Sequence, residues 1–379
     1  MGRSTFSIAS YQAAATQHVP SRGPATQRAY EKAINTGKLD PLVDPAGYNV
    51  IRRSLLRFIE RPDGLFELSI GTSVPVEIRL DTTGSMGNNV EIAIKALPDT
   101  FGLTSSLLPG CDLHMAIGIF GDCADRFVLC RPQFEMLAEK LVHQLTLMVP
   151  EHGGAGNGGE DPHYGLFGGA YLTAAYINRI GLKGYDFTIS DEPARYELDS
   201  RQLKRVFGDE VFDKAAANGH PIDPNNLPTT KQVVDDLQKR AHAFFLQVGG
   251  NHYVNEFWTE MFGPERVIVL PSVELLPQVQ AVIIGLTEGT LSLSEVSGFL
   301  EGNGLSSEYD REAVLRSVSN IPIGAQAALP NYDRRPKAGD LFRTKEDLWP
   351  LTPTELNELE TVGALEEASE DVNLGPNWL

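Results

Sequence analysis

Hydrophobic positions change their spacing repeatedly along this chain, and the changes predict a succession of strands and helices. Ile51, Leu55, Phe58 and Ile59 recur at helical spacing and stop at Arg61-Pro62-Asp63-Gly64, which predicts an amphipathic helix ended by a turn. Val76-Glu77-Ile78-Arg79-Leu80 is a short β-rich run that halts at Asp81 and Gly84, and apolar Val90, Ile94, Leu97 and Phe101 follow at helical spacing. Next come predicted strands Leu113–Phe120 and Arg126–Cys130, a helix Pro132–Met148, a glycine loop, a helix Tyr164–Ile180 and a strand Tyr185–Ile189. Beyond a polar stretch the pattern predicts helix Lys231–Ala241, strand Ala243–Val248, helix Val254–Phe262, strand Arg266–Leu270 and helix Leu275–Leu286. Strands alternating with helices predict an α/β domain: a doubly wound, mostly parallel sheet with helices on both faces, of the Rossmann-like class.

The flanks read differently. Residues 1–40 are rich in Ala, Ser, Gln, Thr and Pro and read as an arm whose order depends on a partner. From Leu291 to Leu379 the chain offers short helical pieces, prolines at 322, 330, 336, 350 and 353, and an acidic last stretch. Thr352-Pro353-Thr354-Glu355 is a capping box with proline at the first helical position, which predicts one further helix there. The expected division is an N-terminal arm and helix over 1–70, the α/β domain over 71–290 and a C-terminal helical extension over 291–379. A length of 379 residues suits one sizeable core with additions.

Charge narrows the function classes. A formal net charge of −18 argues against nucleic acid, which requires basic surface to displace counterions, and against an anionic membrane surface. It suits divalent cations and basic partners, or serves only to keep the protein soluble. Cys111, Cys123 and Cys130 make an odd count, a poor disulfide framework, so a reducing compartment is expected. Met1 to Arg22 is mixed and polar, without the pattern of a secretion signal, and the apolar stretch Val279–Leu286 is far shorter than the roughly 18 residues of a membrane helix. The expectation is a soluble, cytoplasmic protein.

Candidate chemistry gathers after the first long strand. In open α/β sheets, ligands sit outside the carboxyl ends of the strands where the strand order reverses. Asp81-Thr82-Thr83-Gly84-Ser85-Met86 places one carboxylate and two hydroxyls at alternate residues, so all three can face one ion from one turn. Such hard oxygen donors suit Mg²⁺, whose octahedral shell at about 2.0–2.1 Å retains waters, and the short ligand set favours it over Mn²⁺ or Ca²⁺. The plainer reading is a turn whose Thr83 and Ser85 cap the following helix.

Asp-x-Thr-Gly-Ser-Met after a β-run resembles the first metal motif of von Willebrand factor A domains, particularly the branch found beside α-kinases. Gly118-Ile-Phe-Gly-Asp-Cys123 resembles that branch's second strand with its acidic turn, Gly153 to Pro162 its glycine loop, and Thr188-Ile-Ser-Asp-Glu-Pro193 its later strand ending in aspartate. The resemblance covers roughly Gly71 to Gly289. It implies the von Willebrand A fold and a metal held by Asp81, Thr83 and Ser85, with Asp191 bound through water. The middle loop departs from the pattern: where most of these domains place a threonine, this chain offers Glu160 and Asp161, either of them a direct or water-bridged ligand. Asp161 can equally cap the helix starting near Pro162.

The implied role is metal-dependent or metal-stabilised protein recognition, as an adaptor. Many intracellular relatives are paired with AAA+ ATPases, which makes such a motor the expected partner. The alternative is a building block that assembles with copies of itself through its terminal segments. Ala194–Thr230 forms a long insertion on the same rim as the metal, where it either selects the partner or elaborates the surface. Catalysis is not expected. An aspartyl nucleophile at Asp81 lacks a general acid two residues on, the histidines at 114, 143, 152, 163, 220, 242 and 252 lack zinc-ligand spacing, and Gly153–Gly159 lacks the Gly-Lys-Ser/Thr ending of a phosphate cradle.

Overall fold

The computed structural model describes residues 24–52, 58–68, 71–108, 110–154 and 159–343. Its described strands are β1 (Ile51–Arg52), β2 (Phe58–Glu60), β3 (Phe66–Leu68), β4 (Thr72–Asp81), β5 (Cys111–Phe120), β6 (Leu129–Cys130), β7 (Thr173–Ala174), β8 (Gly184–Ser190), β9 (Ala241–Gln247), β10 (Val267–Val269) and β11 (Leu341–Phe342). Every residue of β4 is buried, as a strand covered on both faces requires. Val74, Val76, Ile78 and Leu80 point to one apolar core, while Ser73, Glu77, Arg79 and Asp81 occupy the alternate positions.

Six strands form one sheet in the order β10-β9-β8-β4-β5-β6. Only β6 runs antiparallel to its neighbour; the other pairings are parallel. The chain winds from β4 outward through β5 and β6, then returns to β8 on the other side of β4 and winds outward again. The strand order therefore reverses between β4 and β8, where Ile78 pairs with Phe187 and Leu80 with Ile189. This is the expected doubly wound, mostly parallel α/β fold.

Helices Asn89–Ser105 and Leu276–Glu288 bury Val90, Ile94, Leu97, Val279 and Ile283 in the core on one face. Helices Pro162–Tyr171, Thr230–Arg240 and His252–Phe262 bury Phe167, Val233, Leu237 and Trp258 on the other. Under Pro162–Tyr171 that second face is charged. Arg131 grips Glu77 with two bonds of 2.7 and 2.9 Å, Arg79 lies 3.1 Å from Glu77, and Arg79 is also ion-paired to Asp186. Two arginines thus face two carboxylates, all buried. Gly165 makes room for them: a methyl group there would stand 2.5 Å from Arg79 Cδ.

Several expectations are corrected by tertiary contacts. The helix expected over Ile51–Ile59 is absent at its described ends. Ile51 pairs with Thr173, and Phe58–Glu60 pairs antiparallel with Phe66–Leu68 across the Arg61–Gly64 turn. A short apolar run fits either period, and Pro-Asp-Gly chemistry favoured the hairpin. The helix expected over Tyr164–Ile180 ends at Tyr171, because Arg240 takes the carbonyls of Ala170 and Thr173 and Arg131 takes the Thr173 hydroxyl. The helix expected from Pro132 begins at Ala138, since Glu135 first exchanges two backbone bonds with Met115. In the strand expected over Arg126–Cys130, the amides of Arg126 and Phe127 bond the Glu151 carboxylate instead, leaving Leu129–Cys130.

Part of the expected arm is built into the fold. Residues Pro24–Thr36 form a helix, and Ala33, Leu39 and Val43 join the first core. In the C-terminal segment, helices Val296–Gly302 and Glu308–Ser317 add Val296, Leu300, Val314 and Val318 to that same core, and β11 pairs with β3. The helix predicted from Thr352 lies outside the described residues.

Candidate metal centre

Asp81 ends β4 and Ser190 ends the neighbouring β8, so both stand at the carboxyl edge where the strand order reverses. Asp81 is fully buried. Its Oδ1 accepts bonds from the Thr83 amide at 2.8 Å and the Thr83 hydroxyl at 2.7 Å, and its Oδ2 accepts the Ser190 hydroxyl at 2.5 Å. Thr83 Oγ1 lies 3.2 Å from Ser85 Oγ, and Ser85 Oγ donates to Asp191 Oδ1 at 2.9 Å. Asp81, Thr83, Ser85 and Asp191 therefore form one continuous chain of oxygens that passes from the buried edge to the exposed Ser85.

The turn carrying the hydroxyls is a single 3-10 turn, Gly84–Met86, held over the centre by the Gly84 amide bonding the Gly153 carbonyl at 2.9 Å. Gly87 leaves it at φ +49, which a glycine adopts without strain. Thr83 makes no side-chain capping bond, and the helix from Asn89 starts without one. The hydroxyls are thus directed at the carboxylates instead of the helix end.

Burial pushes the Asp81 carboxyl up to about 6 against the opposing bonds from Ser190 and Thr83, and burial likewise raises Asp191. A carboxylate raised despite three donors is one whose negative charge is poorly compensated. Uniformly oxygen donors, a buried anion and an exposed hydroxyl at one end fit a hard divalent cation.

The two carboxylates of the middle loop separate. Asp161 is fully buried, and its oxygens are taken by the Cys123 amide and by Arg195 Nε at 2.8 Å. It precedes the helix Pro162–Tyr171 without bonding its amides through the side chain. The structure therefore does not join Asp161 to the Asp81 chain of bonds, and the capping role is not made either. Glu160 is anchored by its amide to the Pro193 carbonyl at 3.0 Å, and its buried Oε2 has no hydrogen-bond partner. Burial, then the charges of Asp81, Asp122, Asp161 and Glu192, push its carboxyl up to about 8. Asp161 is thus paired with Arg195, whereas the Glu160 Oε2 is left without a hydrogen-bond partner.

Residues that the pattern alone did not single out complete the surroundings. Ser190 holds Asp81, and Trp258 Nε1 donates to the Glu192 carbonyl at 3.0 Å, fixing the loop after Asp191. Arg205, in the insertion helix Ser200–Phe207, donates to the carbonyls of Cys123 at 2.8 Å and Arg126 at 3.1 Å, so the insertion clasps the loop after β5. Only the neighbouring Asp191 hinted at Ser190; nothing local marks Trp258 or Arg205.

No family model and no curated protein sequence matches this chain. Similar solved structures include proximal thread matrix protein 1 from the mussel byssus, 11% identical over 59% of this chain and 47% of that one, with a TM-score of 0.36. The pilus adhesin SpaC from Lactobacillus rhamnosus GG in an open conformation is 14% identical over 62% of this chain and 34% of that one, TM-score 0.38. A von Willebrand factor type A protein from Catenulispora acidiphila is 10% identical over 59% of this chain and 44% of that one, TM-score 0.31. The chain spans less than half the length of each. These are general likenesses of shape, and they assign no site residue.

Proposed function

We propose that this chain is a von Willebrand A-type recognition module that grips another protein through a divalent cation held by Asp81, Thr83 and Ser85. The observation that carries this reading is the unbroken oxygen chain from Asp81 through Thr83 and Ser85 to Asp191 at the switch point of the sheet. When bound, the cation supplies a positive centre that accepts a carboxylate oxygen from the partner. Asp81 anchors it from the buried side with Thr83 and Ser190 fixing its orientation, Ser85 marks the solvent side, and Asp191 and Glu160 flank it. The donor set favours Mg²⁺, then Mn²⁺ or Ca²⁺.

We read the site as binding instead of catalytic, because Asp81 is fully buried and its orientation is fixed by Thr83 and Ser190, which suits it to anchor a cation and not to attack a substrate. The insertion clasped over the rim is the segment that we assign to partner choice. An AAA+ ATPase and further copies of this chain are the two partner classes in contention. The three free cysteines favour a reducing, cytoplasmic setting. No described helix is long and apolar enough to cross a membrane.

The test is calorimetric titration of Mg²⁺ and Mn²⁺ into chelated wild type and Asp81→Asn, followed by affinity capture with both proteins in Mg²⁺ and in chelator. Saturable binding lost in the variant, with a protein retained only by wild type in Mg²⁺, supports the reading. Equal metal binding by both proteins, or retention indifferent to metal and variant, rejects it. Solution size then separates the partner classes: large species formed by the isolated chain indicate self-assembly, a monomer or dimer an adaptor.

A further inference from the structure

Beside this centre lies a second group of donors that the proposed recognition role leaves unused. Asp122 and Cys123 follow β5, and Asp161 precedes the helix Pro162–Tyr171. Ligand atoms of these three residues lie within 4.8 Å of one another. Both carboxylates are buried, and Cys123 is half-buried. Arg195 spans all three, with Nε 2.8 Å from Asp161 Oδ1 and Nη2 3.3 Å from both Asp122 Oδ2 and Cys123 Sγ. A guanidinium therefore occupies the place of a cation.

A further group points to a ligand other than arginine. His163 is fully buried, neither ring nitrogen has a hydrogen-bond partner, and its Nε2 stands 3.6 Å from Asp161 Oδ1. Orphaned polar atoms at a buried cluster are costly unless something else satisfies them. Arg195 answers Asp122, Cys123 and Asp161 but not His163. Its side chain is 37% exposed, so it can leave the cluster for solvent without unpacking the core.

We propose that Asp122, Cys123 and Asp161 form a second cation site that takes a thiolate-accepting divalent cation of the Zn²⁺ class, and that the Arg195 guanidinium fills this site when the cation is absent. The donor chemistry separates the two centres. The Asp81 group offers only oxygen and suits a hard ion, whereas a cysteine sulfur with carboxylates selects a softer one. On binding, the Cys123 thiol releases its proton to solvent, its thiolate and the two carboxylates take the cation, and Arg195 swings outward. His163, beside Asp161, offers a nitrogen donor. This site stands whether or not Asp81 binds metal.

Co²⁺ serves as the probe because a cobalt–thiolate bond produces a charge-transfer band in the near ultraviolet. The full chain is titrated as wild type, Cys123→Ser, Cys111→Ser, Arg195→Gln and Asp81→Asn, each checked for native circular dichroism. The proposal expects a saturable band in wild type that survives in Cys111→Ser and Asp81→Asn, disappears in Cys123→Ser, and forms with at least about fivefold tighter affinity in Arg195→Gln. Zn²⁺ should then displace the cobalt and bleach the band. A band that persists in Cys123→Ser overturns the proposal, as does its absence from both wild type and Arg195→Gln. Loss of the band in Asp81→Asn also overturns it, by showing that there is one centre and not two.

Discussion

Ser85 Oγ donates to Asp191 Oδ1 at 2.9 Å, joining residues 106 positions apart in the chain. The bond closes the gap between the loops after β4 and β8, the two strands between which the order of the sheet reverses. Both loops leave the carboxyl edge of the sheet there, the place where open α/β sheets bind ligands. A second tie runs beneath, from Ser190 to Asp81.

Ser190→Ala tests that lower tie. The buried Asp81 Oδ2 loses its 2.5 Å donor, so Mg²⁺ affinity should fall about 10- to 100-fold, the usual effect of losing a partner that orients a ligand. Stability in chelator should fall by about 1–2 kcal/mol. Calorimetry and urea unfolding read the two quantities, and unchanged affinity counts against Asp81 as the anchor.

Stability of the metal-free protein should respond to pH through Glu160 and Asp81. Burial lifts Glu160 from 4.5 to about 8 and Asp81 from 3.8 to about 6, so the folded state holds these protons more tightly than the unfolded one. Their contribution is fully present below the unfolded values and is lost as pH rises through about 6 for Asp81 and about 8 for Glu160. Glu160→Gln removes one of these terms. Relative to wild type in chelator, its stability should therefore rise by about 1–3 kcal/mol between pH ~5 and pH ~8. A difference that is flat across that range contradicts the assignment.

Arg79→Met leaves Asp186 without its buried cation and weakens the balance at Glu77, which should cost about 3–5 kcal/mol. Gly165→Ala strikes the same layer from the helix side, since its methyl group would meet Arg79 Cδ at 2.5 Å, and should cost about 1–3 kcal/mol. Denaturant unfolding reads both. The double variant should keep the steric loss, because the methionine Sδ stands where the arginine Cδ did.

Trp258→Phe keeps a ring stacked on Phe245 but removes the bond to the Glu192 carbonyl. Stability should fall by about 1 kcal/mol, with a several-fold loss of Mg²⁺ affinity as the loop carrying Asp191 loosens. Unaltered affinity with lowered stability would assign Trp258 to packing alone.

Much of the fold was legible in the sequence. Long elements with a clear period, such as the helix at Val90–Phe101 and the strand ending at Asp81, appear where the pattern placed them, because burial on a sheet or helix imposes that period. Short runs were not legible. Phe58 and Ile59 fit a helix by spacing but sit beside a Pro-Asp-Gly turn that makes a hairpin, and Thr173 leaves its helix because Arg131 and Arg240 bond it from elsewhere. At the candidate site, the local motif Asp81-Thr-Thr-Gly-Ser85 is self-contained, since Thr83 and Asp81 bond within one turn. The motif also implied a place for Asp191, across the sheet.

The sequence by itself determined the alternation of strands and helices, the end of β4 at Asp81 and the oxygen chemistry of the turn that follows. These depend on neighbours within a few residues. Tertiary structure alone decided which of the two middle-loop carboxylates meets Arg195. Glu160 and Asp161 are adjacent and both acidic, but Arg195 reaches Asp161 from the insertion and leaves the buried Glu160 Oε2 without a hydrogen-bond partner. The partner of a buried charge is set by where the chain returns in space, which no local pattern of residues encodes.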